Sequence, residues 1–199
     1  MKNKISKLIY ILLAFTLFTG VLSGCGATSK TEVATFRDVP LGIKFEEAIP
    51  LFNKELGKQK AGIQPIIFAN GKITWADYEK IKLYDYTTTV RAHFINEVED
   101  SPDNSLFYEG EYLFEIKDDA EREKCYNYFY DKLKELYGEE NKEYSGFVKD
   151  DLVVQIYNSN YDWGKHVSIS YYSIQLMKQL DEQDQNNEKE RQDSINSGL

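Results

Sequence analysis

Val90, Ala92 and Phe94 alternate with Arg91, His93 and Ile95, and further along the chain Tyr108, Tyr112, Phe114 and Ile116 fall in step opposite Glu109, Glu111, Leu113 and Glu115. A period of two is the signature of a strand with one buried face. Slipping one strand by a single residue would turn its whole apolar set to solvent, so the register that buries both sets pairs even numbers with even. The segments "EKIKLYDYTTTVRAHFIN" and "SLFYEGEYLFEI", joined by the turn-rich "EDSPDN", are therefore expected to form a long hairpin. Its other face is polar and mixed in charge, with His93 in reach of Glu109 or Glu111.

Around this hairpin the pattern switches between helix and strand. Phe45, Ile49, Phe52 and Leu56 recur at helical spacing, with Lys54 in the last turn and Gly57 at the stop. Pro50 lacks an amide, so this helix is expected to start near Glu47 or to kink. Asp118 and Glu121 have capping-box spacing ahead of a second helix, in which Cys125, Phe129, Leu133 and Leu136 form the apolar stripe and Gly138 ends it. "VATFRDV" reads as a strand before the turn "PLG", "IQPIIF" as another, and "DLVVQIYN" with "HVSISYYS" as a second hairpin. The fold class that follows is α+β: an antiparallel sheet with two main helices packed on one face. "FRDVPLG…FEEAIPLFNKELG" and "YLFEIKDDAEREKCYNYFYDKLKELYG" echo one another, which allows two α/β halves sharing one sheet.

The start of the chain has a different character. Lys2, Lys4 and Lys7 precede the apolar run "LIYILLAFTLF", and small residues follow. The run falls short of the ~20 residues that cross a bilayer, so residues 1–24 read as a signal peptide. It ends in "LSGC", residues 22–25, which resembles the lipobox of bacterial lipoproteins. That resemblance implies cleavage before Cys25 and diacylation of its sulfur, two chains being enough for stable anchoring. It also implies a place on the extracytoplasmic face of the cell membrane. Residues 25–32, the lipidated cysteine followed by "GATSKTE", have the composition of a flexible tether. The folded domain is expected over residues 33–180. Residues 181–199 are so polar that disorder is expected there.

Loss of residues 1–24 removes three lysines and no acid, so the formal charge moves from −9 to −12. Such a surface lacks the cationic footprint of a nucleic-acid binder, and any membrane contact comes through the lipid on Cys25. With Cys25 acylated, Cys125 has no cysteine partner and the fold stands on its core alone.

"FRDVPLGIKFEEAIPLFNKELG", residues 36–57, resembles the FR-x-IP-W-G openings of uncharacterised bacterial lipoproteins, with Leu41 where tryptophan is usual. More distantly it is similar to helix-plus-sheet modules such as the small lipoprotein of the β-barrel assembly machinery and β-lactamase-inhibitor proteins. The resemblance implies a binding or assembly module and carries no site residue over.

The chain has no nucleophile-elbow, zincin or phosphate-loop motif. His93 and His166 lack metal-pair spacing, so no metal and no cofactor are expected. The acid pairs sit at helix starts and turns, where they cap and solubilise. Cys125 reads as a small buried hydrophobe rather than a reactive thiol. Residues 158–166, "NSNYDWGKH", read as a long polar connection presenting Tyr161 and Trp163 as candidate binding residues, or folding Trp163 back as a lid. The functional expectation is a non-catalytic, lipid-anchored protein that binds an envelope or surface protein or a small ligand. The alternative is an envelope enzyme, a cell-wall or peptide hydrolase.

Overall fold

The structure, a computed structural model, describes residues 33–70, 72–96, 105–161 and 164–197. Its centre is a seven-stranded antiparallel sheet. In chain order the strands are β3 (Ile66–Asn70), β4 (Ile73–Leu83), β5 (Tyr86–Ile95), β6 (Leu106–Glu115), β7 (Phe147–Lys149), β8 (Leu152–Tyr161) and β9 (Gly164–Ser173). Their spatial order is β3-β4-β5-β6-β9-β8-β7, so two meanders start at opposite edges and meet where β6 pairs with β9. Helix α1 (Phe45–Gly57) precedes the first meander and α2 (Asp119–Tyr137) the second. The α+β class is as the sequence predicts, and the internal echo takes the form of a helix followed by a meander, twice.

The register confirms the alternation and shows where it breaks. Val90 pairs with Tyr112, Arg91 with Glu111 and Ala92 with Gly110, even with even and odd with odd. Between His93 and Phe94 the ladder shifts, so Phe94 meets Phe107 instead of Tyr108. Phe107 therefore enters the core, and Tyr108, expected there from the alternation, turns toward the His93 ring at 6.0 Å. A bulge inserts one residue and exchanges the faces beyond it, which no local pattern records. The long segment before β6 is itself two strands. The chain reverses at Tyr84, whose φ of 54° is the left-handed value a tight turn needs, and Leu83 pairs with Tyr86.

Both helices lie on the even face. Phe52 of α1 stacks near Tyr78 and Phe107, Phe45 near Phe94, and Phe129 of α2 lies 4.7 Å from Phe114 between ring centres. Phe94 and Tyr112 are buried, with Arg91 and Glu111 on the other side, as the alternation requires. α1 starts at Phe45, before the expected Glu47, because the chain ahead of it is tied to the end of β6. The Gly42 amide donates to the Phe107 carbonyl at 2.7 Å and the Phe45 amide to the Ser105 carbonyl at 2.9 Å. Pro50 then lies inside the helix, on its exposed side. At the start of α2 the Asp118 carboxylate caps the helix, accepting the Glu121 amide at 2.9 Å.

"VATFRDV" is not one strand but a miniature hairpin, β1 (Thr35–Phe36) and β2 (Val39–Pro40), turning through Arg37 and Asp38 at positive φ. Its Phe36 ring lies over Gly110 in the middle of β6, so close that a Cβ there would come within 2.1 Å of the ring. Gly110 opens the slot into which the hairpin docks. Arg37 follows Phe36 inward and donates to the Tyr112 hydroxyl at 3.0 Å and to Glu55 at 3.3 Å.

Two further expectations change. The β8–β9 connection is tight: Tyr161 pairs with Gly164, and most of "NSNYDWGKH" is strand. Asn158 and Lys165 are used to brace this hairpin against α2. The buried Arg122 donates to Asn158 and Asp119, both at 2.8 Å, and Lys165 bonds the same Asp119. The last helix, α3 (Ile174–Ser197), runs on through the polar residues for which composition argues disorder. Its first turn is held by Asp151, whose carboxylate accepts the Gln175 amide at 2.8 Å, and beyond Leu180 every described side chain is exposed.

Candidate functional site

The odd face of the sheet carries neither α1 nor α2, and its side chains fall in rows set by the register. One row runs Ile66, Asp77, Arg91, Glu111, Ser170, Gln155 across six strands. The next runs Phe68, Trp75, His93, Glu109, Tyr172, Val153, Val148. Polar residues in such number on an uncovered face are ordinarily solvated. Here they bury one another, and Asp77 is only 8% exposed.

The Arg91 guanidinium forks onto Asp77, Nε to Oδ1 at 2.7 Å and Nη2 to Oδ2 at 2.8 Å. This is the planar two-bond pairing that only arginine makes, and it holds Arg91 above its usual value. The third nitrogen of Arg91 lies 3.8 Å from Glu111, which also meets His93 Nε2 at 3.3 Å. Burial alone would push the Glu111 carboxyl up, but His93 and Arg91 together bring it below its ordinary value. Glu111 is thus held ionised between the His93 imidazole and the Arg91 guanidinium. The Arg91 guanidinium sits 5.9 Å from the Trp75 ring centre, and Trp75 stacks on Phe68 at 5.6 Å. Burial, reinforced by Glu109 and Glu111, raises the Tyr108 hydroxyl.

The arrangement sets aromatic faces beside hydrogen-bonding groups whose geometry is already fixed. Glu111, Glu109 and Asp77 outnumber Arg91, so the face leans negative and favours donors and cations. Among the described residues no group of three or more His, Cys, Asp or Glu side chains is placed to hold a metal ion.

The sequence reading found His93, Arg91, Glu109 and Glu111 on this face but missed Trp75 and Asp77. Their signal is present in the alternation of Thr74, Ala76 and Tyr78 with Trp75 and Asp77, which lies between the two strand segments read there. Cys125 is fully buried, and burial pushes its thiol up to about 12, the behaviour of a core residue. Cys25, the signal segment 1–24 and the tether 25–32 lie outside the described residues. So do the whole turn "EDSPDN", Trp163, and the side chain of Tyr161, whose backbone ends β8.

Fold and face together define a class: an α+β domain in which one sheet face is closed by helices and the other is left open with an ordered polar and aromatic surface. No protein-family model, no curated protein and no solved structure matches the chain. No described helix is long and apolar enough to cross a membrane.

Proposed function

We propose that this chain is a lipid-anchored, non-catalytic binding protein, held on the extracytoplasmic face of the cell membrane by acylated Cys25, and that its partner contacts the open face of the sheet. The "LSGC" box and the short apolar run before it support the anchor. The observation that carries the binding reading is the registered rows through Arg91 and His93, where aromatic rings and fixed hydrogen-bonding groups are half-buried without a helix over them. Against the alternative of an envelope hydrolase stands the use of the carboxylates. Asp77 and Glu111 are turned onto Arg91 and His93, whereas acid–base hydrolysis wants two carboxyl groups facing one cleft with separated pKa values.

Crosslinking and pull-down from intact cells test both halves. The wild-type chain is expected to partition into detergent, and Cys25→Ser to abolish lipidation and leave an uncut precursor or a released form. A Cys25→Ser protein that is still processed and membrane-bound would end the anchor assignment. Trp75→Ala with His93→Ala should reduce the crosslinked partner severalfold while the variant stays folded. Undiminished capture by that variant, with loss on Tyr161→Ala and Trp163→Ala instead, would move the contact from the open face to the β8–β9 turn.

A further inference from the structure

The two edges of the sheet are treated differently. β7 is three residues long, ends in Lys149, and has Phe147 tucked against Tyr130 of α2. These are devices that keep an edge from pairing with other chains. β3 has none of them. Ile66–Asn70 reads IIFAN, with no charge and every residue exposed, and Ile66, Ile67 and Phe68 are 46%, 50% and 43% accessible. Ile66 and Phe68 lie on the open face beside Asp77 and Trp75, Ile67 on the other. Alternate residues of an antiparallel strand turn their amide and carbonyl away from the neighbour, and among the described residues no strand takes those of β3. Past β3 the edge of β4 is met by Gln59 at one position, Lys82. The Gln59 carboxamide faces the Lys82 backbone: turned one way its oxygen accepts the Lys82 amide at 3.3 Å, turned the other its nitrogen donates to the Lys82 carbonyl at 3.1 Å.

The charge around it is opposite to that of the chain. Residues 58–82 hold Lys58, Lys60, Lys72, Lys80 and Lys82 against Asp77 and Glu79; with Lys58 paired to Glu55 and Asp77 to Arg91, lysines still outnumber acids there, in a chain of net charge −9. Lys72 lies in the turn after β3. Lys80 and Lys82 lie beyond its first residue, which pairs with Asp77, and Lys58 and Lys60 flank the Gln59 contact.

We propose that β3 is a docking edge for an extended segment of a partner protein, an apolar run of about five residues with acidic residues at both ends, added to the sheet as an eighth strand. Strand addition gives the unpaired backbone groups partners, places apolar side chains against Ile66 and Phe68 on one face and Ile67 on the other, and sets carboxylates against the lysines. A second copy fits less well. Two-fold antiparallel pairing of β3 with itself would bring Lys72 of each copy toward Lys80 and Lys82 of the other. A bilayer fits less well too, because hydrocarbon would leave the edge backbone unpaired. This inference concerns the edge and stands without the open-face reading.

The probe is a synthetic peptide with the core Val-Thr-Val-Phe-Val between pairs of glutamates, beside a twin with lysines in their place, each titrated by fluorescence anisotropy against the full chain in detergent micelles. The acidic peptide should bind at least tenfold more tightly than its twin and slow hydrogen exchange in residues 66–70. Ile67→Asp should weaken it at least tenfold with little change in melting temperature, and Ile67→Val should leave it unchanged. Equal binding of the twins, binding that ignores Ile67→Asp, or unprotected β3 amides would overturn the proposal. So would a dimer in sedimentation that Ile67→Asp dissociates, which would assign the edge to a second copy. Co-sedimentation with phosphatidylglycerol vesicles that requires Ile67, when acidic peptide does not bind, would assign it to the membrane.

Discussion

On one face of β5 and β6, Val90, Ala92 and Phe94 lie in the apolar core beneath two helices, with Tyr112 beside them taking one hydrogen bond from Arg37. On the other face, one residue out of step, Arg91 lies between Asp77 and Glu111 with no helix above it. The same backbone thus serves two kinds of burial. The helix-backed face is stabilised by area removed from water, a term indifferent to direction. The open face loses water because its charges and rings cover one another, and each group there depends on a named partner at a fixed angle. The first kind should fail by overfilling or emptying, and the second by titration or loss of a partner.

The largest expected effect strikes the helix-backed face at its tightest point. Gly110→Ala puts a methyl within 2.1 Å of the Phe36 ring, and because Phe36 is held by Tyr112 and Tyr171 on its other sides, the β1–β2 hairpin must undock. A loss of about 3 kcal/mol or more is expected in urea unfolding, at the upper end for overpacked cores. A loss below about 0.5 kcal/mol would mean that the hairpin does not seat on β6.

The open face should respond to acid. Glu111 has its carboxyl lowered in the folded state, so the stability it contributes is present above the unfolded value near 4.5 and lost as pH falls through the lower folded value. Melting temperatures from pH 6 to pH 3 should therefore fall more steeply for the wild type than for Glu111→Gln. Parallel curves would show that His93 and Arg91 do not hold Glu111 ionised.

The smallest effect separates the two faces by sign. The Tyr78 hydroxyl is buried on the helix-backed face, where burial raises its pKa and no described group bonds it. Tyr78→Phe deletes an unmatched polar atom and keeps the ring against Phe52, so stability should be unchanged or rise by up to about 1 kcal/mol. A fall of more than about 1 kcal/mol would show that the hydroxyl has a partner.

These contrasts also mark what could be read from the chain. Tyr112 and Phe94 inside, Arg91 and Glu111 outside, and His93 near Glu109 or Glu111 follow from the alternation of two strands. The missed pair, Trp75 and Asp77, needed the recognition that Ile73–Leu83 is a strand of its own. That depends on a reversal at Tyr84, a residue with no turn preference, held in left-handed backbone because β4 and β5 pair on both sides of it. Tyr108 was misplaced for a similar reason, since the bulge opposite His93 exists only when β5 and β6 are aligned. "NSNYDWGKH" has the polarity of a loop. Its residues 158–161 and 164–166 are strand, where Arg122 and Asp119 on α2 supply partners for Asn158 and Lys165.

By itself the sequence determines what depends on near neighbours: two amphipathic helices, the Asp118 cap, the face of most strand positions that must be dry, and the acidic balance. Only the tertiary structure decides that the two meanders join at β6 and β9, that Gly110 receives Phe36, that Asp77 meets Arg91, and that β3 is left as an open edge. Each of these is a pairing between residues far apart in the chain. Such pairings are selected by closing the ladder and filling the core together, and periodicity within one segment holds no record of which distant segment will lie beside it.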